Sequence, residues 1–250
     1  MEAGFNPFSL DGKKVLVTGA SSGIGRATAI LCSRIGAQVV ITGRNESRLT
    51  ETMAALYGDG HFQIAADLTE EASLTKLVDG LPQLDGIVHC AGIGHRKPCK
   101  AINAEDIATV MDANFNAAVL LQSSLLSKKK VNKAASIVFV SSRAAEIPSV
   151  ANALYSASKG ALKSYAKCLS LELAPRAIRV NCICPAMVWT PLILKDGVTE
   201  EELQSEQTKY PLKRYGQPED IANLAVFLLS DASSWMTGSC IDITGGAIEL

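Results

Sequence analysis

Lys14-Val15-Leu16-Val17-Thr18, followed at once by Gly19-Ala20-Ser21-Ser22-Gly23-Ile24-Gly25, is the stretch on which the fold turns. A short β-rich apolar run ends in three glycines, and a helical pattern, Ile24–Ile35, begins inside the glycine turn. Glycines at such a turn let backbone approach a ligand closely, because no Cβ stands in the way. The free N–H groups and positive dipole end of the next helix then favour a pyrophosphate. The spacing differs from GxGxxG, so the reading rests on the position of the turn after the first strand.

Outward from this turn, Gln38–Thr42, Phe62–Ala65, Gly86–His89, Ser136–Val140 and Val180–Cys184 read as further strands. The patterns between them, Glu46–Tyr57, Glu70–Val78, Ala104–Ser127 and Tyr155–Leu173, with Pro218–Leu229 after the last, are long enough to cross a sheet as helices. The fold class is therefore α/β: a doubly wound, Rossmann-type parallel sheet with helices on both faces. Leu162, Ala166, Leu169 and Leu173 form one apolar stripe, and Pro175 marks the end of that helix. No linker or repeat divides the chain, so residues 1–250 are read as one catalytic domain. Pro191–Pro211, polar and helix-prone between two prolines, reads as a mobile lid over a pocket.

The charge balance, 24 Lys and Arg against 25 Asp and Glu in 250 residues, gives no electrostatic case for nucleic acid or an anionic membrane. Lys128-Lys129-Lys130 with Lys133 is the one notable charge run and reads as a solvated helix end. The seven cysteines are scattered and suit reduced thiols in the cytoplasm; Cys182 and Cys184 read as small core residues. Met1–Pro7 lacks a basic, then apolar leader, and no apolar run is long enough for a membrane span. His89, Cys90, His95 and Cys99 are irregularly spaced, so no metal site is expected; His95 and Arg96 read as loop residues over the substrate pocket.

After the second strand comes Gly43-Arg44, where sites reading NAD place an acid for the ribose 2′-hydroxyl. Arginine grips a 2′-phosphate instead, so the cofactor expected is NADP(H); the plainer reading of Arg44 is an exposed turn residue. Tyr155 and Lys159, four apart, fall on one helix face. A phenol is a poor base at neutral pH, and a nearby ammonium would lower its pKa. Ser142 ends the Val138-Phe139-Val140-Ser141 run, and Asn114 sits in Asp112-Ala113-Asn114.

With the glycine turn, Asp67-Leu68, Cys90-Ala91-Gly92, Asn114, Ser142, Tyr155-x-x-x-Lys159 and Asn181-Cys182-Ile183-Cys184-Pro185 in order, the chain closely resembles the short-chain dehydrogenase/reductase family, from about Gly12 to Gly246. The resemblance is strongest to 3-oxoacyl carrier-protein reductases. It implies a tetrad: Tyr155 for proton transfer, Lys159 on the nicotinamide ribose, Ser142 on the substrate oxygen and Asn114 holding a water that links Lys159 to solvent. It also implies cofactor contacts from Gly19, Ser21, Ser22, Gly23, Ile24, Gly25, Arg44 and Cys90-Ala91-Gly92, and from Asp67 and Leu68 at the adenine. Thr190 would hold the carboxamide, with Ile183, Pro185 and Val188 around the nicotinamide. Asp67 reads equally as a cap for the helix after it. His89-Cys90 stands where the family commonly has Asn-Asn, and Pro185-Ala186 where it has Pro-Gly.

The activity so implied is carbonyl reduction or alcohol oxidation, with a 3-oxoacyl thioester as the leading substrate and a polyol, sugar or other secondary alcohol as the alternative. The substrate could be carrier-bound, with Lys128–Lys130 and Arg176 facing an acidic carrier. A dinucleotide sensor without turnover is the reading from another class. By resemblance the chain forms a homotetramer.

Overall fold

The structure, a computed structural model, describes residues 6–194 and 199–247. Met1–Phe5 and residues 195–198 of the lid segment lie outside the described residues. The strands are β1 (Lys14–Thr18), β2 (Gln38–Gly43), β3 (Phe62–Ala65), β4 (Leu84–His89), β5 (Val131–Val140), β6 (Arg179–Pro185) and β7 (Cys240–Ile243). The helices are α1 (Gly23–Arg34), α2 (Glu46–Ala54), α3 (Glu71–Gly80), α4 (Ala104–Met111), α5 (Ala117–Ser127), α6 (Ala153–Leu173), α7 (Glu200–Gln207) and α8 (Pro218–Leu229).

All seven strands are parallel in the order β3-β2-β1-β4-β5-β6-β7. Alternation along each strand divides the core in two. Val15 and Val17 face one way, with Val39, Ile41, Val88 and Ile183, and are covered by α1, α2 and α8. Leu16, Val40, Ile87, Ile137 and Phe139 face the other way and are covered by α3, α5 and α6. The stripe Leu162, Ala166, Leu169 and Leu173 is buried there, as its spacing predicts. Cys182 and Cys184 are core residues on this same side.

Three elements differ from the sequence reading. β7 is a seventh strand: four residues at the sheet edge, too short and too half-buried to carry a periodic signal. Ala104–Ser127 is two helices, because a wider, π-helical turn over Asp112–Asn116 interrupts it. The lid segment contains α7, whose Thr199–Glu202 capping box starts it and whose Leu203 joins Tyr210 and Tyr215 in a small apolar cluster.

β1 has β2 on one side and β4 on the other, and the chain passes in opposite directions away from it. In a doubly wound sheet the crevice outside the carboxyl ends of strands at this reversal is where ligands bind. The segments following β1, β2, β4, β5 and β6 all emerge at this edge.

Candidate active site

Gly19 (φ +65°) and Gly23 (φ +53°) hold left-handed backbone that turns β1 into α1. A Cβ on Gly25 would lie 2.4 Å from the Gly19 carbonyl oxygen, so the helix packs directly on the turn. Ser22 at the head of α1 makes no side-chain capping bond, and the first turn carries no acid. A cradle of backbone amides with unneutralised positive dipole fits the pyrophosphate of a dinucleotide. The neighbouring wall is tied to it: Thr18, buried under the turn, accepts hydrogen bonds from the Cys90 and Ala91 amides at 3.0 and 3.1 Å. Thr190 closes the other side, its Cγ2 being 3.1 Å from where a Cβ on Gly23 would stand.

Arg44 follows β2 and is largely exposed, with its guanidinium 4.0 Å from the Asp67 carboxylate. Asp67 accepts from the Thr69 amide and hydroxyl at 3.0 and 2.7 Å, the capping arrangement that its sequence position also suggests. Burial pushes its carboxyl up, but these two bonds and the Arg44 charge outweigh that and hold it below the usual carboxylate range. Leu68 is buried in the core on the α3 side, which leaves only its backbone for a ligand.

Gly92 lies where β4 runs out, against both Asn114 and Lys159: a Cβ there would be 3.0 Å from Asn114 Oδ1 and 3.3 Å from Lys159 Nζ. Asn114, wholly buried in the π-helical turn, accepts from the Ile93 amide at 2.7 Å. It donates to the Ile93 carbonyl at 3.0 Å and to Ser158 Oγ at 3.1 Å. The widened turn thus aims an asparagine sideways and locks it to the β4 loop, a use to which such turns are often put. Ser158, unremarked in the sequence, is the side chain that holds it; its place one residue before Lys159 was the available signal.

Ser142 follows β5, and its hydroxyl accepts from the Ala144 amide at 3.1 Å. α6 begins at Ala153 and brings Tyr155 up to the Ser142 hydroxyl. Burial raises the Tyr155 phenol above its ordinary pKa, and the hydrogen bond from Ser142 pulls it back in part. This corrects the expectation that Lys159 depresses it. The Lys159 ammonium stands 5.8 Å from the centre of the Tyr155 ring and donates instead to the Val140 carbonyl at 3.0 Å. Its own burial pushes its pKa down to about 8, so the charge that should favour phenolate is itself disfavoured. Ile183 and Val188 are buried beside this edge, and Pro185 ends β6.

The residue after Ser142 anchors its loop. Arg143 bonds Asp242 of β7 at 2.8 Å and also Glu146, which pairs with the buried Lys163 of α6. Sequence reading missed this web because Lys163 and Asp242 lie far along the chain from Arg143 and Glu146.

His95 pairs with Asp106 at 3.2 Å, and Lys97 pairs with the same carboxylate. Among the described residues no group of three or more His, Cys, Asp or Glu is arranged to hold a metal. None of their helices is long and apolar enough to cross a membrane. His89 is a core residue, stacked on Phe139 at 4.5 Å and bonded through Nε2 to Gln122 Oε1 at 3.0 Å. Burial pushes its pKa down to about 4 from 6.5. The unfolded chain therefore takes up a proton below about pH 6.5 that the folded chain refuses until about pH 4, so stability falls with pH through that window. Urea denaturation at pH 7 and pH 5 should differ by about 2 kcal/mol from this group, and His89→Asn should remove that part of the difference. An unchanged slope in the variant would contradict the assignment.

Residues 19–247 match a family model described as Enoyl-(Acyl carrier protein) reductase. The chain is 34% identical over 241 residues to the 3-oxoacyl-[acyl-carrier-protein] reductase FabG of Rickettsia felis, covering 96% of this chain and 99% of that protein. It is also 34% identical to the glucose 1-dehydrogenase of Gluconobacter oxydans, covering 94% and 91%. Among solved structures it is similar to a 3-ketoacyl-(acyl-carrier-protein) reductase from Brucella melitensis complexed with NADH. That match has a TM-score of 0.85 and 31% identity, over 95% of this chain and 99% of the other. A putative NAD(P)-dependent gluconate 5-dehydrogenase from Beutenbergia cavernae with bound NADP matches with a TM-score of 0.85 and 30% identity, over 96% and 98%.

Proposed function

The chain belongs to the short-chain dehydrogenase/reductase family and is an oxidoreductase, and on that premise we propose that it is an NADPH-dependent reductase of a 3-oxoacyl thioester or similar small ketone. The observation that carries this reading is the meeting of Ser142 and Tyr155 at the edge where the glycine turn, Gly92 and Lys159 converge. A nicotinamide held here would supply the hydride. Ser142 donates to the substrate oxygen, where negative charge grows, and Tyr155, kept protonated by its buried setting, delivers the proton. Lys159 would bind the nicotinamide ribose and, with Asn114 holding a water, would restore the proton. Ser21, Ser22 and the amides of Gly23 to Gly25 would hold the pyrophosphate, Asp67 and the backbone of Leu68 the adenine side, and Pro185, Val188 and Thr190 the nicotinamide. The described residues 191–194 and 199–211 would cover the pocket as its lid.

Arg44 supports the choice of NADPH, being exposed at the end of β2 with only a long contact to Asp67. Arg44→Ala should raise the KM for NADPH by roughly 10-fold or more, as expected for loss of a charge-assisted phosphate contact, and leave that for NADH nearly unchanged. Equal loss with both cofactors would refute this role. The test of the activity is absorbance at 340 nm with each cofactor against 3-oxoacyl thioesters, diketones and keto-sugars. Turnover of sugars alone would favour the second reading, to which the similarity to glucose 1-dehydrogenase lends weight.

The lysines expected to meet a carrier sit at the other end of the sheet. Lys128 is bound to Asp79 and Lys130 to the Leu81 carbonyl, just before β5 begins, and Arg176 is bound to the Val131 carbonyl. The register of β5 on β4, Val131 opposite Leu84 and Phe139 opposite His89, puts about 17 Å of strand between them and the Phe139 end that Ser142 follows. Ile107, Leu120 and Leu171 are exposed apolar side chains on α4, α5 and α6, which supports a homo-oligomer formed through these helices, and light scattering tests it. Seven free thiols suit the cytoplasm.

A further inference from the structure

Three of the thiols share one place in the sheet. Cys182 and Cys184 lie two residues apart on β6, on its α6 side and fully buried. β7 runs beside them, and Cys240 is in direct register with Cys182. Cys240 packs on the same side of the sheet but on the edge strand, where it is partly exposed. The three side chains therefore share one face of the paired strands. Lys163, buried against this face, and Lys167 one turn further along α6 place positive charge beside it.

We propose that Cys240 is a peroxide-reactive thiol that closes a disulfide with Cys182. Neighbouring strands are about 4.8 Å apart, so residues in register have the Cα separation that a disulfide accepts. Cys184 is in register with Asp242, one pleat further on, which puts its Cα roughly 8 Å from that of Cys240, beyond bridging range. The adjacent Cys182 and Cys184 thiols, together with the Lys163 and Lys167 charges, favour a Cys240 thiol held below the usual range, while the two β6 thiols are pushed above it. The reactive thiolate thus sits on the exposed strand and the protonated resolving thiol behind it.

In the first step the Cys240 thiolate attacks one oxygen of hydrogen peroxide, the O–O bond breaks, and hydroxide leaves a sulfenic acid. In the second the Cys182 sulfur attacks the Cys240 sulfur, the S–O bond breaks, and water leaves with the Cys182 proton. The hydroxide takes up the proton that Cys240 had released. Two thiols lose two electrons and two protons, and one peroxide becomes two waters.

The test is treatment of the whole protein with a few equivalents of hydrogen peroxide, then alkylation under denaturing conditions and peptide mass mapping. A peptide pair joined through Cys182 and Cys240, lighter by two hydrogens and separated by dithiothreitol, is the expected product. Cys32, buried and with its thiol pushed up to about 12, should be recovered alkylated throughout. Cys184→Ser should still form the link, and Cys182→Ser should leave a Cys240 sulfenic acid trapped by dimedone. If either variant misfolds, the map of the unaltered protein decides. Recovery of Cys240 as a free thiol, linkage to Cys184, or crosslinks confined to the exposed Cys99 and Cys168 would overturn the proposal.

Discussion

Tyr155→Phe is expected to lower kcat by about a thousandfold, within the 10²–10⁴ range that a positioned proton donor contributes. The substitution removes one oxygen and leaves the ring, so the packing of Tyr155 at the head of α6 is preserved. Cofactor affinity, read by fluorescence titration, should stay within a factor of about two, because the phosphate cradle lies on other segments. The two readouts together separate chemistry from binding. Full activity in the variant would remove Tyr155 from the mechanism. An unaltered protein that binds cofactor and turns over nothing would point to a sensor. Because burial raises the phenol above its ordinary pKa, the proton is in place throughout the neutral range, and reduction should show no loss from Tyr155 ionisation below about pH 10.

Gly25→Ala should weaken cofactor binding sharply, for a different reason. The added carbon would sit 2.4 Å from the Gly19 oxygen and 2.7 Å from the Gly19 carbonyl carbon, both backbone atoms that have no rotamer to escape into. Either α1 lifts from the turn or the turn opens, and the amides lose their aim. A strain of about 1–3 kcal/mol in stability and a weakening of cofactor binding on the order of 100-fold are expected, measured by thermal melting and titration. Gly160→Ala is the control. It lies in α6 with nothing within 4 Å of its Cβ position, so the same change should raise stability by about 0.5–1 kcal/mol. If both variants behave alike, the close approach at Gly25 is not what sets the cradle.

Much of this was legible because it is local. The turn from β1 to α1 is written in seven consecutive residues, and the buried stripe of α6 in a helical period. The tetrad was legible only through resemblance, since Asn114, Ser142 and Tyr155 stand on three separate segments that composition does not connect. What stayed hidden depends on long-range packing. The π-helical turn has no residue signature; it exists because Asn114 bonds Ile93 and Ser158 on other elements. β7 is defined by its pairing with β6 rather than by its own four residues. The direction of the Tyr155 shift also failed from sequence, because spacing placed Lys159 near the phenol and could not register that Lys159 is buried and Tyr155 partly so.

The central place of β1 constrains how the chain acquires its shape. β1 leaves the ribosome well before its second neighbour, β4, which is complete only with His89. Until then the strand carries one unpaired edge, and at about 5–20 residues per second that interval lasts for seconds. Closing so long a loop is entropically costly before any contact rewards it, so pairing of β1 with β4 should be a late and slow event in folding. The nascent β1–β2 pair is thus the segment most open to misassociation, and the one a holding chaperone would be expected to shield.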